Sequence, residues 1–333
     1  MNNILLSISI PSYNQTDYLL AALNSIIHDS KNINNIEINI SDNSSYYNDK
    51  KKLFNNITHK LNHFKSNCNS MDSNINNSIV VSKGEYVWIF GDDDLIIPGS
   101  LKKIINYLDQ NKPDVLIVNS ASFINDEKVE KNRCKININK KYNINENDHN
   151  KFLEEMGGYL TYIGSIIIRK KIWIDNFKSS FEGSYFAHLG VVLSAKLNKK
   201  KIHYLATPSI NMRLNSQTWT SNYFKIWNFN YPELIWSFND FSINAKKNVI
   251  SEYPYLKISR LLSLRAYNKY NISIFYEYYK NKNISFFYKF IFFIIAVLPR
   301  RITSLSYYLF IILFRNKHKH NFSPILAKKL LQI

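Results

Sequence analysis

Tyr86-Val87-Trp88-Ile89-Phe90-Gly91-Asp92-Asp93-Asp94 is the stretch on which the reading of this chain turns. Five consecutive apolar residues predict a strand buried on both faces. Three carboxylates follow at its C-terminal end. Carboxylates crowded into one short turn repel each other, which is costly without a counter-charge. A hard divalent cation, Mg2+ or Mn2+, supplies one. It takes one or two protein carboxylates and completes its shell with substrate phosphate oxygens. There it neutralises a departing phosphate and lowers the barrier to its loss. An exposed acidic turn leading into a helix at Ser100 is the simpler alternative, and spacing alone does not separate the two.

Around this strand, the first 125 residues alternate strand and helix. Residues 5–10, 36–40, 86–90 and 115–118 read as strands. Residues 18–27, 50–61, 75–82 and 100–108 have the apolar spacing of helices. This order predicts an α/β fold, a Rossmann-like and mostly parallel sheet with flanking helices. Ligands bind beyond the carboxyl ends of such strands. Three polar clusters fall there, at 11–14, 41–45 and 91–94. Tyr13, beside Ser12 and Asn14, has the chemistry to stack on a base and hold a ribose. Asp42 has the chemistry to accept a base N–H. Taken singly, each cluster is equally an ordinary turn, because turns favour Asn, Asp and Ser. Further on, 125–150 reads as an inserted loop or hairpin, 160–169 as a strand, 185–197 as a helix and 203–213 as extended chain. From Trp227 the sequence reads as helices, increasingly basic and aromatic. The domain boundary is placed to give 1–225 and a helical extension over 226–333.

Together, Ser9 to Asn14, Ser41 to Ser45, Gly84 to Asp94 and Pro98-Gly99-Ser100-Leu101 resemble the family 2 glycosyltransferases of the GT-A fold. The stretches Gly157-Gly158-Tyr159 and Ser184-Tyr185-Phe186-Ala187-His188 further resemble the branch that includes O-antigen abequosyltransferases. The resemblance implies a metal-assisted enzyme that moves a sugar from a nucleotide-diphosphate donor, of UDP or CDP type, to a hydroxyl of a lipid-linked oligosaccharide or other glycan. It implies that Pro11, Tyr13 and Asp42 contact the base, with Asn14 beside them. Asp92 then touches the ribose, Asp93 ligates Mg2+ or Mn2+, and Asp94 is the fallback ligand. Asp72 and Asn74 surround Ser73, where many members carry a basic residue near the donor phosphates. The position matching the family's general base is His188, with Glu182 and Asp175 as alternatives; a histidine suits a base near neutral pH. Arg213 and Trp219 lie in a stretch resembling a loop that closes over the donor diphosphate. Gly91 departs from the family, which often has Asp there. This departure and His188 together keep open a second reading, a catalytically weak nucleotide-sugar-binding or assembly partner. Nucleotidyl transfer lacks its Gly-rich, basic phosphate loop after the first strand.

The 333 residues carry a net charge of +18, and 45% are hydrophobic, enough for a substantial core. Two cysteines, Cys68 and Cys134, exclude a disulfide framework and a cysteine zinc cluster. The apolar stretch at 4–10 alternates with serine and stops at Pro11, which reads as a first strand and not as a secretory signal. From residue 251 onward, 14 basic residues face two acidic ones, so +12 of the +18 lies in the last quarter. There the apolar runs 284–298 and 302–314 are edged by lysine, arginine and tyrosine. Both are too short for a comfortable membrane span. Their pattern suits the surface of an anionic bilayer, which predicts a cytoplasmic enzyme peripheral on the inner face of the cell membrane. A homodimer interface and a buried hairpin are the alternatives. No recognised nucleic-acid module accompanies the charge.

Overall fold

The computed structural model describes residues 4–314, apart from 55–56, 58–60, 69, 125–126, 144–147, 195–199 and 217–220. The chain divides into two compact units. The first comprises residues 1–218 and 234–249, and the second comprises 219–233 and 250–333.

The first unit is built on a 10-stranded sheet. Its strands are β1 (Leu6–Ser12), β2 (Ile36–Asp42), β3 (Leu61–Lys65), β4 (Tyr86–Ile89), β5 (Leu95–Ile96), β6 (Val115–Ile124), β7 (Glu127–Glu130), β8 (Lys140–Asn143), β9 (Ile166–Arg169) and β10 (Lys201–Arg213). The order is β3-β2-β1-β4-β9-β6-β10-β5, with β7 on β6 and β8 on β10. The half from β3 to β4 is parallel, as is the β6–β10 pair. β9 is antiparallel between β4 and β6. Helices α1 (Thr16–Asp29), α2 (Tyr47–Phe54), α3 (Met71–Val80), α4 (Ser100–Asn111), α5 (Asp148–Met156), α6 (Lys170–Asn176) and α7 (Ala187–Ser194) flank it.

The described residues of 50–61 do not belong to the single helix their sequence predicts. α2 ends at Phe54, and an additional strand, β3, begins at Leu61. Its sequence, Leu-Asn-His-Phe-Lys, has no apolar run because β3 is a partly exposed edge strand paired on one side only.

The alternation of β1 and β2 has a physical meaning. On one face Leu6, Ile8 and Ile10 join Ile36, Ile38 and Ile40, then Tyr86, Trp88 and Phe90, against Leu19, Leu23 and Ile26 of α1 and Leu101, Ile104 and Leu108 of α4. Fully burying each such side chain is worth about 1.5–3 kcal/mol, so this face carries most of the stability. The other face is buried as well, but it is polar. Ser7 donates to Glu37 (2.6 Å), Ser41 donates to Asn74 on α3 (2.7 Å), and Ser9 bonds Ser82 (2.9 Å). Each satisfied bond adds only about 0.5–1.5 kcal/mol, so this network acts more on the fit of α3 to the sheet than on stability.

Residues 223–249 continue through α8 (Tyr223–Lys225), a π-helical turn (Ile226–Asn230), α9 (Tyr231–Ser237) and α10 (Ile243–Val249). In the second unit α11 (Ile258–Ala266), α12 (Ile272–Tyr278), α13 (Phe286–Val297) and α14 (Arg300–Phe314) close around Leu261, Leu264, Tyr270, Phe275, Tyr279 and Phe292. The tyrosines there satisfy their hydroxyls on backbone carbonyls, Tyr270 on Phe292 (3.1 Å) and Tyr279 on Tyr255 (2.7 Å).

Candidate active site

β1, β2 and β4 run parallel, so their C-terminal ends bring Ser12, Asp42 and the 91–94 turn to one edge of the sheet. The turn itself is built inward from Asp94. Tyr162 donates its hydroxyl to one Asp94 oxygen (2.6 Å), and the Arg213 backbone N–H donates to the other (3.1 Å). Burial, with Asp93 next to it, holds this carboxyl well above its ordinary pKa. Asp94 is thus a structural anchor, which leaves Asp92 and Asp93 as the carboxylates that reach the surface. A Cβ on Gly91 would lie 2.6 Å from an Asp94 oxygen and 3.1 Å from one of Asp93. The glycine is the space that the folded-back carboxylates occupy, which is why no aspartate stands there.

Asp92 accepts the Tyr13 backbone N–H (3.3 Å), tying the 91–94 turn to the end of β1. Burial first and the neighbouring Asp93 second push its carboxyl up to about 7. Burial also raises Asp93, while the Ser216 hydroxyl, which donates to its Oδ2, and the Arg213 charge work against that rise. Arg213 donates from Nε to the Asp93 carbonyl (3.1 Å), and its guanidinium lies over the rings of Phe123 (4.5 Å) and Tyr18 (4.6 Å). Arg213 and Asp93 therefore meet although 120 residues separate them. Trp219, expected in the same loop, lies outside the described residues.

The base-side cluster differs from its expectation. Asp42 is fully buried and already engaged. It accepts from the Ser44 N–H (2.9 Å) and from His63 Nε2 (3.1 Å), and it pairs with Lys50 at 3.5 Å. Burial alone would raise its carboxyl; the bonds from His63 and Ser44 and the Lys50 charge outweigh that and hold it below its ordinary value. Lys50 Nζ also donates to Ser44 Oγ (2.7 Å) and Ser12 Oγ (3.4 Å), and Ser44 Oγ accepts the Asn14 N–H (2.7 Å). Asn14 takes the left-handed backbone at φ 55 and accepts the Ser45 N–H (3.1 Å). Asp42 thus braces the ends of β1 and β2 from beneath, through Ser44 and Lys50. Tyr13, 51% open to solvent, and Asn14 are the exposed members, while Pro11 is buried within β1. Nothing in the local sequence marks Lys50, His63, Tyr162 or Ser216 for these roles; only their tertiary partners do.

Asp72 and Asn74, on α3, are likewise interior. Asn74 bridges Ser41 and the Ser12 carbonyl. Asp72 accepts the N–H groups of Tyr185 (2.9 Å) and Ala187 (3.0 Å), clamping the start of α7, and burial raises its carboxyl to about 6. His188, one residue into that helix, is 0% exposed, and burial lowers it to about 4, so it is a neutral imidazole enclosed by the core. The structure does not bring it to the surface of the acidic turn. Glu182 and Asp175 are exposed, and Asp175 pairs with Lys171 at 3.7 Å.

Among the described residues no group of three or more acidic, histidine or cysteine side chains is arranged to hold a metal ion. Asp92 and Asp93 alone fit one under a narrower condition. Burial pushes each up despite its partners, and a Mg2+ or Mn2+ ion needs only one or two carboxylates when phosphate oxygens supply the rest.

The profile described as "Glycosyl transferase family 2" matches residues 7–172. Abequosyltransferase RfbV of Salmonella typhimurium strain LT2 is 30% identical over 224 residues, 63% of this chain and 67% of that protein. Residues 1–349 of S. aureus TarS in complex with UDP superpose with a TM-score of 0.54 at 16% identity, covering 79% of this chain and 80% of that one. The same protein in complex with UDP-GlcNAc gives 0.54 at 16% identity, covering 91% and 83%. At that identity the likeness speaks to the fold, which is the GT-A arrangement that the family resemblance implied.

Proposed function

Because the chain belongs to glycosyl transferase family 2 and is a glycosyltransferase, we propose that it adds a sugar to a hydroxyl of an O-antigen-like surface glycan or of its lipid-linked precursor. The observation that carries this reading is the pair Asp92 and Asp93 at the C-terminal end of β4, with Arg213 laid beside Asp93. Similarity to an abequosyltransferase supports a deoxysugar donor and an O-antigen type of acceptor. The complexes of TarS with UDP and UDP-GlcNAc support a nucleotide-diphosphate sugar in a fold of this kind.

In this reading Tyr13 offers its exposed ring to the base. Asn14, with its backbone set by Ser44, shapes the ribose side. Arg213 is poised for phosphate oxygens, and the rings of Tyr18 and Phe123 hold it extended. Asp92 and Asp93 would hold Mg2+ or Mn2+, which when bound stabilises charge on the departing diphosphate.

Thermal-shift measurements with UDP, CDP, GDP and dTDP, each with and without Mn2+, test the proposal. We expect metal-dependent stabilisation by one of the four. Asp93→Ala is expected to abolish that stabilisation and sugar transfer while the unliganded chain still folds and melts cooperatively. Transfer at the parental rate in Asp93→Ala, or no stabilisation by any nucleotide, would overturn the reading.

A further inference from the structure

In the second unit the first turns of α14 place polar side chains inward. Thr303 and Ser304 are buried, at 5% and 4% exposure, and Ser304 donates to the Ala266 carbonyl (3.1 Å). Ile302, Leu305 and Leu309, spaced three and four residues apart, face solvent together with Arg301 and Ser306. A helix that only had to pack would point the other way. The preceding helix repeats the pattern on a second face. In α13 Phe292, Ile295 and Ala296 enter the core. Phe286, Phe287, Phe290, Ile294 and Val297 share the opposite side, with Phe286 84% and Phe287 68% exposed. Isolated exposed apolar residues need no explanation, but two successive helices each with a continuous apolar stripe do.

Along the chain, the charge from α13 onward has one sign. Glu277 is the last acidic residue of the chain, and the 56 residues after it hold ten lysines and arginines. Among them Lys280 precedes α13, Lys289 lies within it, and Arg300 and Arg301 open α14. The two helices bend by 100° between Phe286–Val297 and Arg300–Tyr307, and no single helix among the described residues is long and apolar enough to cross a bilayer. Short apolar stripes bordered by cations, with tyrosines alongside, match an interface that is apolar beneath and anionic above. A bent pair lies along such an interface more readily than it threads through one.

We propose that α13 and α14 dock this protein on the surface of an anionic lipid bilayer. The exposed phenylalanines and the Ile302, Leu305 and Leu309 stripe enter the acyl boundary, and the surrounding lysines and arginines meet lipid phosphates. The inference rests on the second unit alone and does not depend on the sugar donor or acceptor.

Flotation of the full chain with vesicles of phosphatidylcholine and phosphatidylglycerol, and with phosphatidylcholine alone, tests it. The chain should float with the mixed vesicles and bind the neutral ones much more weakly. Binding should also weaken at roughly 1 M salt, where charges more than about 3 Å apart are screened. Phe286→Ser, Phe287→Ser and Phe290→Ser combined should lower partitioning about tenfold or more. All three positions are exposed, so the melting temperature and nucleotide response should hold. Arg301→Glu should weaken binding to the anionic vesicles only. An Ile302→Ser, Leu305→Ser pair gives an independent reading on α14. The proposal fails if the parent does not float, if the apolar variants float equally well, or if the parent is a dimer that the triple variant converts to monomer with no vesicle binding by either. In that last case the face belongs to a second copy of the chain.

Discussion

Gly91 shows how one residue sets the form of the acidic turn. Its missing side chain lets the Asp94 carboxylate fold back beneath the turn, where Tyr162 and the Arg213 N–H hold it. A methyl group there would meet an Asp94 oxygen at 2.6 Å. A side-chain oxygen usually yields to such a contact, but this one yields only by releasing two hydrogen bonds in a buried place. We therefore expect Gly91→Ala to cost about 1–3 kcal/mol in denaturant unfolding. The same change should displace Asp93 and weaken nucleotide-dependent stabilisation more than it weakens the fold. Equal stability and equal nucleotide response in the alanine variant would show that Asp94 is not fixed in this way.

At the scale of elements, the decisive addition to the sequence reading is β3. The run from 50 to 61 has helical spacing, and an exposed edge strand has little apolar signal to set against it. Yet β3 carries His63 to Asp42, and α2 carries Lys50 to the same carboxylate from the other side. Removing one member of a buried ion pair strands its partner's charge, at a typical cost of about 3–5 kcal/mol. Lys50→Met should lose stability on that scale and should also loosen Ser12, Ser44 and Asn14. Adding Asp42→Asn should recover much of the loss, since the stranded charge is gone; a double-mutant cycle in urea measures this coupling. Additive losses would mean that Lys50 acts through packing alone. The legible elements, β1, β2, β4 and α4, are those whose burial is written locally as runs or periodic spacing. The contacts that complete the turn are not local. Ser216 reaches Asp93 across 123 residues and Tyr162 reaches Asp94 across 68, and no neighbour in sequence signals either.

For the whole molecule, stability should respond to pH through two opposed groups that meet at the start of α7. Asp72 is raised by burial to about 6 from 3.8, so the folded state holds its proton more tightly than the unfolded chain does. Its contribution is fully present below pH 3.8 and is lost as pH rises through about 6. His188 is lowered by burial to about 4 from 6.5, so folding favours its neutral form. Its contribution is present above pH 6.5 and is lost as pH falls through about 4. Each amounts to about 3 kcal/mol at 1.36 kcal/mol per pH unit, with opposite sign over nearly the same window, so together they hide each other. Single variants separate them. Relative to the parent, Asp72→Asn should cost most near pH 4 and progressively less toward pH 7. His188→Gln should cost most near pH 7 and progressively less toward pH 4. Unfolding free energies measured across that range give two difference curves that cross. The raised carboxyls of Asp92, Asp93 and Asp94 titrate in parent and variants alike, so they drop out of the differences. Parallel curves would mean that Asp72 clamps α7 through hydrogen bonds whose strength does not depend on its charge, and that the imidazole of His188 titrates as freely in the folded chain as in the unfolded one.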